Sequence, residues 1–175
     1  TLTVDNSKVR YLSKDEEARL REKLKTCDTD FLEVIVILAL NTGMRKGELL
    51  SLEWNHVNFD NKILTVDFQN AKSGNTRHLP LNTQAFNTLK QWQQETDGIG
   101  FVFKDKNNAQ LKDFPYVWGA LLDEAQITNF RFHDLRHHFA SKLVMASVDL
   151  NTVRELLGHS DLKMTSGLCF VIRYF

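Results

Sequence analysis

Cysteine is scarce in this 175-residue chain. The two present, Cys27 and Cys169, lie far apart and form no CxxC pair, which argues against a disulfide framework and a zinc ribbon alike. Proline occurs twice and glycine eight times, too few for a collagen-like or low-complexity segment. Charge of one sign is also missing. Because 22 Lys and Arg balance 22 Asp and Glu, an anionic partner has to be held by a local cluster rather than by a global field. The longest apolar run, Val34 to Leu40, is far shorter than the roughly 20 residues of a membrane span, and the N-terminus carries no signal-peptide pattern. The expectation is a chain with no membrane partner, kept in a reducing cytoplasm. Neither a P-loop nor a dinucleotide-binding glycine motif occurs, so ATP- or NAD-dependent work has no support.

What is present is 42% apolar and 25% charged, the composition of one globular domain rather than of a disordered chain or a rod. Thr1 to Arg10 is polar and aperiodic and reads as a linker. Ser13 with Glu16 has capping-box spacing, and Leu20 and Leu24, four apart, predict a surface helix to about Lys25. Phe31 to Leu40 is apolar nearly all round and runs into Asn41-Thr42-Gly43, the pattern of a buried helix stopped by glycine. A short helix is expected over Lys46 to Leu52, with Leu49, Leu50 and Leu52 facing inward.

From Val57 to Leu81 the period changes to two, in three runs: Val57 and Phe59, Ile63 to Val66, and Arg77 to Leu81. Turns at Asp60-Asn61 and Ser73-Gly74-Asn75 join them into a small antiparallel sheet. Helical periodicity returns over 83–94, 114–125, 134–145 and 150–157, interrupted by a short apolar strand or turn at Phe101 to Phe103. The expected fold class is α+β, mostly α-helical, with a three-stranded antiparallel sheet.

Five residues could carry chemistry. His133 and Arg136, three apart at the start of a helix, share a face, and a guanidinium fork beside an imidazole suits a phosphate. Arg45 follows a glycine at a helix start, where main-chain N–H groups favour anions, and Glu48 is placed to orient it. Lys72 stands next to the hairpin tip, from which a long cation can reach into a groove. His159 lies just past the glycine stop at Gly158. Each has a plainer reading: Arg136 paired with Asp134, Arg45 an ordinary exposed arginine, Lys72 protecting a sheet edge, His159 capping a helix.

The order Thr42-Gly43-Met44-Arg45-Lys46-Gly47-Glu48-Leu49, a hairpin Lys72, His133-Asp134-Leu135-Arg136-His137-His138-Phe139-Ala140-Ser141 and Leu156-Leu157-Gly158-His159-Ser160-Asp161-Leu162-Lys163-Met164-Thr165 resembles the tyrosine recombinase (phage integrase) family. The resemblance runs from about Tyr11 to Thr165. It implies a C-terminal catalytic domain over 11–165, with 1–10 a linker from an N-terminal DNA-binding domain and 166–175 an atypical tail. It implies double-stranded DNA as partner, a homotetramer on DNA from a chain that is monomeric when free, and no cofactor or metal. It places Arg45 and Arg136 on the non-bridging oxygens of the scissile phosphate, His133 and His159 as proton-handling or hydrogen-bonding groups, and Lys72 as the acid for the leaving 5′ oxygen. A tyrosine would attack to leave a 3′-phosphotyrosyl link.

The chain departs from that family where the nucleophile is expected. Nine residues past His159 stands Leu168, and an Arg-Tyr pair comes only at Arg173-Tyr174. Tyr174 is then a displaced nucleophile on a remodelled tail, or the tail is altered and the chain cannot cleave, or Tyr11 or Tyr116 serves, although both lie in segments that read as structural. The apolar run Leu168 to Ile172 suits a segment exchanged between protomers, as in the family, or a plain frayed end.

Two rival readings remain. His133 and His137, at i and i+4, resemble a zinc-hydrolase helix, but Asp134 replaces the general-base glutamate, Arg136 would sit beside the metal, and no third ligand is evident. His137 and His138 then read as helix-packing or supporting residues. The other rival is a DNA-binding module without chemistry, favoured by Leu168 and opposed by five phosphate-directed side chains at one place. Either DNA reading predicts weak, salt-sensitive binding by a chain of zero net charge.

Overall fold

The structure, a computed structural model, describes residues 9–67, 69 and 74–159. Lys72, Tyr174 and the tail expected over 166–175 lie outside the described residues. The elements run α1 (Lys14–Lys25), α2 (Asp30–Thr42), α3 (Lys46–Leu50), a 3-10 turn (Trp54–His56), β1 (Val57–Asn58), β2 (Ile63–Val66), β3 (Arg77–Pro80), α4 (Thr83–Glu95), α5 (Pro115–Glu124), α6 (Asp134–Met145) and α7 (Leu150–Leu157). This is the mostly helical α+β architecture that the periodicity predicts.

Local signals account for most boundaries. The Ser13 hydroxyl accepts the Glu16 N–H at 3.1 Å, and the Glu16 carboxylate accepts the Ser13 N–H at 2.8 Å, closing the capping box of α1. α2 buries every residue from Val34 to Leu40 and stops at Gly43 with a left-handed φ of 67°. A Cβ on Gly43 would stand 2.3 Å from the Phe139 ring, so α2 and α6 meet where only glycine fits.

The sheet order is β1-β2-β3, antiparallel throughout, with Leu64 opposite Leu79 and Val66 opposite Arg77. Alternation turns Leu64, Val66 and Leu79 into the core, and it turns Arg77 inward in phase with them. One expectation changes. Phe59 leaves the sheet after a two-residue β1 and meets the Phe86 ring of α4 edge-on, at 5.5 Å between centroids. Phe101 to Phe103, expected as a strand or a turn, is a bend with a single bridge from Phe101 to Glu53, and its Val102 carbonyl accepts the Trp92 indole N–H at 2.8 Å.

The main core gathers on α2, with α4 and α6 packed against it. A smaller cluster of Phe139, Ala140, Val153 and Leu157 fastens α7 to α6, with Val9 against it. α7 also lies against β3. The ends of α2, α3, β3, α6 and α7 therefore converge at one edge. No helix among the described residues is long and apolar enough to cross a membrane.

Candidate active site

Arg136 lies in the first turn of α6 and is 4% exposed. It does not pair with Asp134, whose carboxylate instead accepts the Arg131 N–H at 2.7 Å. Its guanidinium donates to the Gly43 carbonyl at 2.7 Å and to the Leu157 carbonyl. These carbonyls lie at the ends of α2 and α7, both terminated by a left-handed glycine, so the cation meets the negative ends of two helices. Burial first, then the charge of Arg45, pull its pKa down to about 9, still high enough to keep the charge at neutral pH.

Arg45 precedes α3, and Glu48 reaches back to it. The Glu48 carboxylate accepts the Arg45 main-chain N–H at 2.9 Å and its guanidinium at 3.1 Å. Sequence reasoning missed the third member, Arg77, which read only as a strand residue. Its two Nη atoms donate to the two Glu48 oxygens at 2.9 and 2.6 Å, and its Nε donates to the Leu156 carbonyl at 3.0 Å. Burial opposes the Glu48 charge, but Arg77 and then Arg45 outweigh it and hold the carboxyl below its usual range. A signal for Arg77 does exist in the sequence: a charge in phase with Leu79 and Leu81 faces the core and must find an anion there.

The histidines ring this cluster. His133, exposed at the start of α6, meets His137 edge-to-face at 5.1 Å between centroids. Desolvation of the His133 ring, then the neighbouring His137 and Arg136, hold its pKa below the usual value, and desolvation does the same for His137. His159 serves two roles at once. Its main-chain N–H caps α7 by donating to the Arg154 carbonyl at 3.0 Å, while burial, then Arg136 and Arg45, push its ring down to about 4. His138 is turned elsewhere: its Nδ1 accepts the Leu12 N–H at 3.2 Å and its Nε2 bonds Glu17 at 2.9 Å, a packing role. Among the described residues no three His, Cys, Asp or Glu side chains converge as metal ligands.

Of the expected site residues, Arg45, His133, Arg136 and His159 thus come within one another's electrostatic reach, while Lys72 and Tyr174 lie outside the described residues. A groove of about 520 Å³ runs between β3 and α7 past Arg77 and His159, walled on one side by Asn75 and Thr76 at the end of the β2–β3 connection. Beside this groove two guanidiniums, Arg45 and Arg77, share the Glu48 carboxylate, Arg136 stands close by on two main-chain carbonyls, and burial and these cations disfavour the charged form of the neighbouring histidines. The pocket therefore carries surplus positive charge that is largely withdrawn from water, the electrostatic profile of an anion site.

Comparison with known proteins agrees. Residues 10–167 match the phage integrase family. The chain is 29% identical over 170 residues to the integrase of Salmonella phage P22, covering 91% of this chain and 43% of that one. It is 31% identical over 160 residues to the tyrosine recombinase XerC of Actinobacillus succinogenes, covering 84% and 50%. It spans about half or less of the length of these curated relatives. In fold it resembles the catalytic domain of bacteriophage HP1 integrase, with a TM-score of 0.71 at 24% identity, covering 93% of this chain and 88% of that one. It also resembles the integrase of transposon Tn1549 solved with transposon right end DNA, with a TM-score of 0.82 at 21% identity, covering 95% and 63%. The convergent motifs, the helical architecture and the matched length together place this chain in the phage integrase family of tyrosine recombinases.

Proposed function

We propose that this chain is the catalytic part of a site-specific DNA recombinase that breaks and rejoins double-stranded DNA without a metal, through a 3′-phosphotyrosyl link. The observation that carries this reading is the surplus of guanidinium charge around Glu48, buried at Arg77 and Arg136 and fixed by main-chain carbonyls. Phosphoryl transfer places negative charge on the non-bridging oxygens, and cations positioned beforehand lower its barrier without reorganising. Arg45 and Arg136 hold those oxygens, and His133 and His159 donate hydrogen bonds or exchange the proton. The Tyr174 phenol gives its proton to a neutral histidine, His133 or His159, as its oxygen bonds phosphorus and the bond to the 5′ oxygen breaks, and Lys72 supplies the proton that the departing alkoxide takes. The new ester conserves the phosphodiester bond, so a second DNA end reverses it without ATP. Working on paired sites, the chain acts as a homotetramer on DNA, in a cytoplasm or nucleoid.

Support also comes from XerH, similar in fold at a TM-score of 0.80 and 20% identity, which was solved bound to a palindromic difH substrate in a post-cleavage complex. The test is covalent trapping on nicked suicide DNA carrying the core site. The expected result is a protein–DNA adduct on a denaturing gel that is lost in Tyr174→Phe. A parent chain that binds the site and forms no adduct favours the second reading, a recombinase fold that binds DNA without cutting it, for which Leu168 at the expected tyrosine position is the specific observation.

A further inference from the structure

We infer that Arg77 is a positioning residue of this pocket, which occupies Glu48 so that Arg45 keeps donors open for a phosphate; the inference rests on the reading of the pocket as a phosphate site. Glu48 is one carboxylate between two arginines, and its side chain is 1% exposed. Each of its oxygens already accepts twice: Oε1 from Arg77 at 2.9 Å and Arg45 at 3.1 Å, Oε2 from Arg77 at 2.6 Å and the Arg45 main chain at 2.9 Å. A carboxylate has room for about four such bonds, so Glu48 is full. Arg77 holds the planar two-pronged contact, and the Arg45 guanidinium is left with one long bond to an oxygen it shares.

Without Arg77, a buried and underused Glu48 takes Arg45 in the two-pronged mode, which neutralises the guanidinium that faces the phosphate. The same residue reaches the other half of the pocket. Its Nε holds the Leu156 carbonyl, one residue before the carbonyl that Arg136 holds, and its guanidinium packs 3.1 to 3.3 Å from where a Cβ on Gly158 would stand. Arg77 thus fixes the end of α7 from which His159 projects.

The experiment compares four chains by titration with inorganic phosphate, followed by phosphorus NMR, and by melting temperature: parent, Arg77→Gln, Arg77→Lys, and Arg77→Gln with Glu48→Gln. The expected result is that Arg77→Gln weakens phosphate binding about tenfold or more, and that adding Glu48→Gln restores it to within about threefold, because the competitor for Arg45 is gone. Arg77→Lys, which keeps the charge and loses the fork, falls between. Equal phosphate affinity in parent and Arg77→Gln, measured below both melting temperatures, overturns the inference, as does an equal loss in the single and double variants. A parent chain that binds no phosphate overturns the pocket reading itself, and the inference with it.

Discussion

Two clusters in this fold set one carboxylate among several nitrogen-bearing side chains. Near the start of α1, Glu17 takes Arg21 at 2.9 Å, Lys142 at 2.8 Å and His138 at 2.9 Å. At the converging helix ends, Glu48 takes Arg45 and Arg77, with Arg136 close by. Both carboxyls stay below their usual pKa, Glu17 chiefly through the His138 hydrogen bond against the pull of burial, then through Lys142 and Arg21. The difference lies in the cations. Lys142 is 53% and Arg21 29% exposed, so water screens their excess charge, whereas Arg77 and Arg136 are 8% and 4% exposed and cannot be screened that way. Burial of the surplus, rather than the number of charges, is what separates the Glu48 cluster from the Glu17 cluster.

The sharpest way to break this comparison is to remove one cation from each side. Arg136→Met is expected to lower the rate of adduct formation on suicide DNA about a thousandfold or more, and Lys142→Met to leave it within about threefold. Similar losses from both would abolish the distinction. A second comparison removes the carboxylates and reads stability by urea unfolding. Glu48→Gln is expected to cost about 3 kcal/mol, since it strands a buried guanidinium, and Glu17→Gln about 1 kcal/mol, since two of its three partners, Arg21 and Lys142, reach water. Added phosphate recovers part of the Glu48→Gln loss and none of the Glu17→Gln loss; the reverse order of costs would sink the account.

The smallest effect is in pH. His159 resists protonation until about pH 4 in the fold, with His133 and His137 shifted the same way, while in the unfolded chain they titrate near 6.5. The unfolded state therefore binds more protons across that window, and stability falls as pH drops from about 6.5 toward 4. Glu16, Glu17 and Glu48 are held below their usual range, so they add to the loss once the unfolded carboxyls begin to bind protons below about pH 5, and above that the histidines account for the slope. His159→Gln is expected to flatten it by roughly 1 kcal/mol or less, and an unchanged slope would place the histidine outside the guanidinium field.

Much of the backbone was legible because its signals span a few residues: Ser13 with Glu16, Asn41 to Gly43, Gly158 after Leu157. The 3-10 turn at Trp54–His56 and the departure of Phe59 from the sheet were not, because no local motif marks the first and packing against Phe86 accompanies the second. Arg45, His133, Arg136 and His159 were singled out through residue type and family resemblance, and the fold brings them to one edge. Arg77 was missed because its partner stands 29 residues upstream. The contacts of Arg136 were equally hidden, since main-chain carbonyls leave no mark on residue identity.

Those two carbonyls lie 93 residues before and 21 residues after Arg136. The first closes a loop of 93 residues, and contacts of such long range tend to form late in folding. In a partly folded chain Arg45, Arg77 and Arg136 are three separate, hydrated charges with no shared focus. On the proposed phosphate reading, anion affinity is thus one of the last properties the folding chain acquires, and a nascent or misfolded copy is expected to hold phosphates no more tightly than any other polypeptide of zero net charge.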